Sequence, residues 1–373
     1  MMMPLAAITV WRCVILLYVL LVIGIIAMLI HEKRDPTKAL AWILLIALVP
    51  VVGIVVYMVF GRNYRKRKMF SRKGLTDLEH LEKLSEQQFD LLKSTDDEAL
   101  PNGLRENCDM ISLLLNNNKS LLTIHNRVRV LNNGKETFPA IFDALREAKE
   151  SIHLEYYIFE NDRLGERVGK ILMEKAQKGI EVRLIYDDVG SWSLTQGYVR
   201  KLRAAGVKVG CFMPVAFPWL TSTVNYRNHR KIIVVDGRVG FTGGINIAER
   251  YLRGNRLGRW RDTHLKIEGE AVSMLQGIFI MDWYFVTGEV MDYRKYLPEN
   301  TITELSPLQI ASSGPDSDWA SIMQAFFLAI TKAQKHIYIS TPYFLPNQAI
   351  MTALKVAALS GVDVRVMIPS RSD

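Results

Sequence analysis

Between residues 228 and 246 the chain reads Asn228-His229-Arg230-Lys231, four apolar residues, Asp236-Gly237, and then Gly243-Gly244 with Asn246 two positions on. An imidazole and an ammonium two residues apart suit chemistry at a phosphate. The imidazole can attack phosphorus or move a proton, the ammonium can hold the oxygens, and glycine leaves the backbone open to a ligand. A lone histidine in an apolar run is usually structural, so the case for His229 rests on this company. The surrounding charge agrees with an anionic substrate, since residues 223–268 hold ten basic and four acidic side chains.

Positioning such a pair requires a strand and a tight turn. The β-branched run from Lys231 to Val235 predicts a strand, and Asp236-Gly237 is a favoured two-residue hairpin turn. Alternation along that strand puts His229 and Lys231 on one face, with Gly243 and Gly244 folded back opposite Arg230 and His229. Asp236 falls on the other face, roughly 16 Å from Lys231, which gives it a role in the turn or at one remove from the chemistry. Downstream, Asp262 is a candidate to orient His229 or else an ion-pair partner of a neighbouring arginine. His153 and His264 lie in alternating strands, where packed or surface roles are the default, and His31, His80 and His125 have no constellation around them.

In order and spacing, H-x-K-x-x-x-x-D followed by Gly243, Gly244 and Asn246 resembles the signature of the phospholipase D superfamily. The resemblance implies His229, Lys231 and Asp236 as the catalytic signature, and Gly243, Gly244 and Asn246 as substrate-binding positions. It supports Asp262 as the orienting acid, and it implies chemistry through a phosphohistidine with no metal and no cofactor. Many members carry Gly-Ser where this chain has Gly243-Gly244, so a hydroxyl contact to phosphate is missing in this half.

Composition sets the frame. The 373 residues are 49% hydrophobic and 23% charged, which excludes a disordered polymer. Three cysteines, Cys13, Cys108 and Cys211, without metal or redox spacing exclude a disulfide scaffold or a zinc site and fit a reducing compartment. The net charge of +9 sits wholly in residues 1–73, leaving the remainder neutral. That disfavours nucleic acid as a partner, because duplex binding needs a basic footprint on the domain.

Cys13 to Ile30 and Ala39 to Phe60 are uncharged runs of 18 and 22 residues, each near the length that spans about 30 Å of hydrocarbon as a helix. Three basic residues lie between them and eight flank them on the other side, so both termini and the body are expected in the cytoplasm. The expected layout is a two-span membrane anchor over 1–73, a helical linker over 74–118, a first half over 119–303 and the start of a second half over 304–373. Internal similarity supports the halves. Ala148–Phe159 aligns with Ala333–Phe344, and Gly179–Ile185 with Gly361–Met367. The fold class expected is therefore two transmembrane helices followed by an α/β phospholipase D-like body of duplicated mixed βα halves, the second incomplete.

Asp35-Pro36, Trp42, Pro50, Gly53, Tyr57 and Phe60-Gly61 look like the amino-terminal hairpin of bacterial cardiolipin synthases. That likeness implies phosphatidyl transfer between two phosphatidylglycerol molecules with release of glycerol, in the cell membrane. The repeat offset puts a partner histidine about 40 residues past Asp373. On that count the 373 residues alone are expected to be inactive. A different phosphatidyltransferase, a nuclease of the superfamily and a catalytically incomplete membrane scaffold are the other readings.

Overall fold

The computed structural model of the protein describes scattered positions between 12 and 27, then 36–57, 75–94, 102–215, 227–314, 317 and 319–371. The basic residues 62–73, His31 and most of the inter-span loop lie outside these.

In the amino-terminal segment the second apolar run is two helices, Pro36–Leu48 and Pro50–Val56, of 13 and 7 residues. Pro50 causes the break. It has no N–H to continue the ladder, and it drives the preceding residue out of the helical region, here Val49 at φ −131°, ψ 75°. Among the described residues no helix is long and apolar enough to cross a membrane. Ile46, Ile54 and Tyr57 are buried together against Tyr18, Val22 and Ile25 of the first run, with Trp42 set edge-on to Tyr57 at 5.4 Å. Outward, Leu40, Leu44, Leu48 and Val52 are exposed.

The body is built on an eight-stranded mixed sheet. Its strands are β1 (Thr123–Asn132), β2 (Ser151–Tyr156), β3 (Glu181–Asp187), β4 (Lys208–Phe212), β5 (Lys231–Val235), β6 (Val239–Gly243), β7 (Thr263–Gly269) and β8 (Leu305–Leu308). The order is β4-β3-β2-β5-β6-β7-β1-β8. β2, β3 and β4 are parallel and joined by helices Arg163–Gln177 and Gln196–Ala204; from β5 onward the pairings are antiparallel. Buried strands read as continuous apolar runs because both faces are covered. Ile233, Val235, Leu154 and Leu184 pack with helices Asn133–Glu147 and Arg163–Gln177 on one face. On the other, helix Ala271–Thr287 lays Leu275, Phe279 and Trp283, spaced by four, against Ile185, Phe212, Ile232 and Val234.

Phe138, Ile141, Phe142 and Leu145, spaced for one face, predict a helix over 138–150; the structure begins it five residues earlier, as Asn133–Glu147. Residues 75–118 form helices Leu75–Ser94, Asn102–Arg105 and Cys108–Asn118, and Leu84, Phe89 and Leu92 pack on Ile111 and Leu115.

The repeat is visible in register. β9 (His336–Ser340) and β10 (Asp363–Met367) pair in parallel around helix Gln348–Leu359, with Ile337 opposite Val364. In β2 and β3 the aligned residues, Ile152 and Val182, face each other in the same way.

Candidate active site

The site lies where the carboxyl ends of β2 and β3 meet the amino end of β5. Lys231, 3% exposed, opens β5 opposite Tyr156. Its ammonium donates to the His229 carbonyl at 2.7 Å and stands 3.1 Å from His229 Nδ1. His229 is exposed along one side while its ring packs on Tyr157, centroids 4.5 Å apart. Partial burial, with the neighbouring ammonium, pushes the His229 imidazole down to about 4, so it is neutral at pH 7 and able to act as nucleophile or base. Burial pushes Lys231 down to about 8, opposed by the Asp262 carboxylate. The pair the sequence singled out is thus together, and Tyr157 is a third member that sequence reasoning missed.

The hairpin differs from expectation by one residue. Asp236 and Gly237 do adopt positive φ, 52° and 65°, and Arg238 N donates to Val235 O at 2.9 Å, as a primed turn requires. Val235, however, pairs with Val239, leaving Arg238 as an extra residue. Continuing that register puts Gly243 opposite Lys231 and Gly244 opposite Arg230, not Arg230 and His229 as expected. A slip of one residue changes the face on which each position falls. One row therefore runs Tyr156, Lys231, Gly243, His264, Leu131 across the sheet.

This row explains the two glycines. A Cβ on Gly243 would lie 2.6 Å from His264 Nδ1, and one on Gly244 would collide with the Asp262 carboxylate. The glycines make room for the downstream Asp262 and His264, both within electrostatic reach of Lys231, as well as leaving backbone accessible at Gly243. His264 is fully buried with neither ring nitrogen hydrogen-bonded among the described residues, and burial pushes it down to about 3. His153, also buried, has both nitrogens satisfied by Gln276 (3.0 Å) and Glu181 (3.3 Å), and so takes the packed one of its two expected roles.

Three other expected site residues do different work. Asp236 sits at the far end of β5, where its carboxylate accepts the backbone N–H groups of Lys149 (2.9 Å), Glu150 (2.8 Å) and Ser151 (2.8 Å). It ties the hairpin turn to the start of β2, which agrees with the face argument and not with a place beside His229. Asn246 is 1% exposed, with Oδ1 accepting from Ile158 N at 3.1 Å and Nδ2 donating to Tyr251 Oη at 2.6 Å. Its amide pins two loops from a buried position. Asp262 accepts from Thr263 N at 2.7 Å and makes no hydrogen bond to His229 in this arrangement; its carboxylate feels the charges of Lys231 and Arg261.

Asn228, which carried no weight in the sequence, anchors the reactive segment. Its backbone N–H donates to Asp187 Oδ2 at 3.0 Å, its side-chain Nδ2 donates to Glu155, and its Oδ1 accepts from Arg230 N at 3.0 Å.

An imidazole and an ammonium presented together at the edge of a βα sheet, with the duplicated register behind them, define a phospholipase D-like domain. Residues 141–283 and 327–373 match the family model for the cardiolipin synthase, PLD-like domain, and residues 16–62 match that for the phospholipase D-nuclease N-terminal segment. A cardiolipin synthase of Alkalihalophilus pseudofirmus is 45% identical over 94% of this chain and 69% of its own length. One from Geobacillus sp. is 43% identical over 92% and 68%. The chain belongs to the cardiolipin synthase family. Among solved structures it is similar to phosphatidylserine synthase of Haemophilus influenzae, at 16% identity over 65% of this chain and 61% of that one, with a TM-score of 0.47.

Proposed function

We propose that the site moves a phosphatidyl group from one phosphatidylglycerol to another, releasing glycerol through a phosphohistidine on His229. The observation that carries this is the neutral imidazole held 3.1 Å from the Lys231 ammonium. His229 Nε2 bonds phosphorus, the P–O bond to glycerol breaks, and a second group protonates the departing oxygen. The same group then deprotonates the hydroxyl of the incoming phosphatidylglycerol, whose oxygen displaces Nε2. Lys231 neutralises the phosphate oxygens throughout. Attack through Nε2 requires the ring proton on Nδ1, the atom now facing Lys231. A ring turned so that Nδ1–H donates to the Asp262 carboxylate holds that tautomer, with the proton exchanged through solvent, which is the orienting role proposed for Asp262.

The second proton carrier is the histidine of a second motif, and residues 1–373 contain one such motif. On their own they form no cardiolipin. Assay of 1–373 with phosphatidylglycerol in mixed micelles, beside the chain supplied with a second motif, tests both points. Turnover is expected in the second case only and is abolished by His229→Ala. Robust cardiolipin from 1–373, lost on His229→Ala, would mean that two copies complete each other's site.

The reading includes an anchor in the cell membrane, with both termini and the body cytoplasmic and anionic phospholipid as partner. Two uncharged runs support it, as do the apolar side chains of Leu40, Leu44, Leu48 and Val52 turned outward. The neutral charge of the body gives nucleic acid no footprint.

A further inference from the structure

We propose that Glu155 and Asp282 form a carboxyl pair sharing one proton, carried by Glu155, and that this pair positions His229 through Asn228. The inference rests on His229 as the reactive group and adds a positioning system on the opposite face of the sheet. Glu155 lies on β2 and Asp282 on helix Ala271–Thr287, 1% and 3% exposed. Asn228 Nδ2 donates to Glu155 Oε1 and reaches Asp282 Oδ2 at 3.4 Å, while Arg230 Nη1 donates to the same Asp282 oxygen. The residues on either side of His229 are thereby fastened to one helix.

The proton follows from the donor count. Carboxylates only accept, yet one amide nitrogen, Asn228 Nδ2, reaches an oxygen of both Glu155 and Asp282 in a buried site, and two such groups side by side are accommodated when one of them holds a proton. Arg230 pairs with Asp282 and keeps it ionised. Glu155 Oε2, by contrast, is buried and no donor among the described residues reaches it. A proton on Oε2 donated to Asp282 satisfies that oxygen and removes one of two like charges. Burial and the Asp282 charge both hold the Glu155 carboxyl well above the usual carboxylate range, in agreement with the geometry. The other charged groups facing this cluster are Asp187, which accepts Asn228 N, and Arg227, which pairs with Asp187.

A glutamine at 155 reproduces the protonated form, its Nε2 donating to Asp282 and its Oε1 accepting from Asn228. Glu155→Gln should therefore keep kcat within about threefold, whereas Glu155→Ala and Asn228→Ala should lower it about 100-fold with KM little changed. Infrared difference spectra of the full chain in lipid-free detergent at neutral pH give a reading independent of turnover and of the alanine variants' folding. Wild type minus Glu155→Gln should show the C=O stretch of a protonated carboxylic acid. A band missing from that difference overturns the shared proton. Glu155→Gln as inactive as Glu155→Ala, at unchanged Tm, overturns the positioning role. Should wild type with a second motif present make no cardiolipin, the functional reading fails and the infrared band still decides the pair.

Discussion

Burial pushes the Lys231 ammonium down to about 8 and the His229 imidazole to about 4, so activity has two limbs. His229 must be unprotonated to attack, hence kcat/KM rises as pH passes about 4. Lys231 must be protonated to hold phosphate oxygens, hence kcat/KM falls above about 8. Lys231→Arg, which stays charged, should abolish the alkaline limb while lowering the plateau, because a planar fork does not replace a point charge. An alkaline limb unchanged in that variant would assign it to another group. The glycines offer a second test at this scale. A methyl on Gly244 must displace the Asp262 carboxylate, so Gly244→Ala should cut kcat about tenfold with little change in Tm. Wild-type kcat in that variant would show that Asp262 does not orient the ring.

Strands and turns decide where those residues end up, and Asp236 shows how. It occupies the last position of the H-x-K-x-x-x-x-D signature, yet its carboxylate collects three backbone N–H groups at the head of β2. Asp236→Asn keeps the size but loses a charged acceptor, which should cost about 1–3 kcal/mol of stability, read as a lower Tm. The folded fraction should retain wild-type KM and nearly wild-type kcat. An inactive variant of unchanged Tm would put Asp236 in the chemistry. The extra residue at Arg238 belongs to the same level. It moves Gly243 opposite Lys231 and lets His264 of β7 lean into the row, a placement that no periodicity within β5 or β6 reveals.

For the molecule as a whole, the prediction concerns topology, and labelling tests it. A cysteine at Thr37 should react with impermeant reagent added outside intact cells, and one at Ser71 should be protected; the reverse pattern would invert the orientation. The sequence by itself determined the strand Lys231–Val235, the parity that separates Asp236 from His229 and Lys231, and the repeated strand–helix–strand unit. These are local or periodic properties, carried by β-branched runs, a fixed alternation of two and recurrent segments. Tertiary structure alone decided that Asn246 is buried and bonded to two loops, that His264 joins the row of Lys231 across Gly243, and that Glu155 meets Asp282 across 127 positions of chain. Each of these depends on which distant element packs where, and contacts across a sheet or between a strand and a helix leave no spacing in the chain for a reader to count.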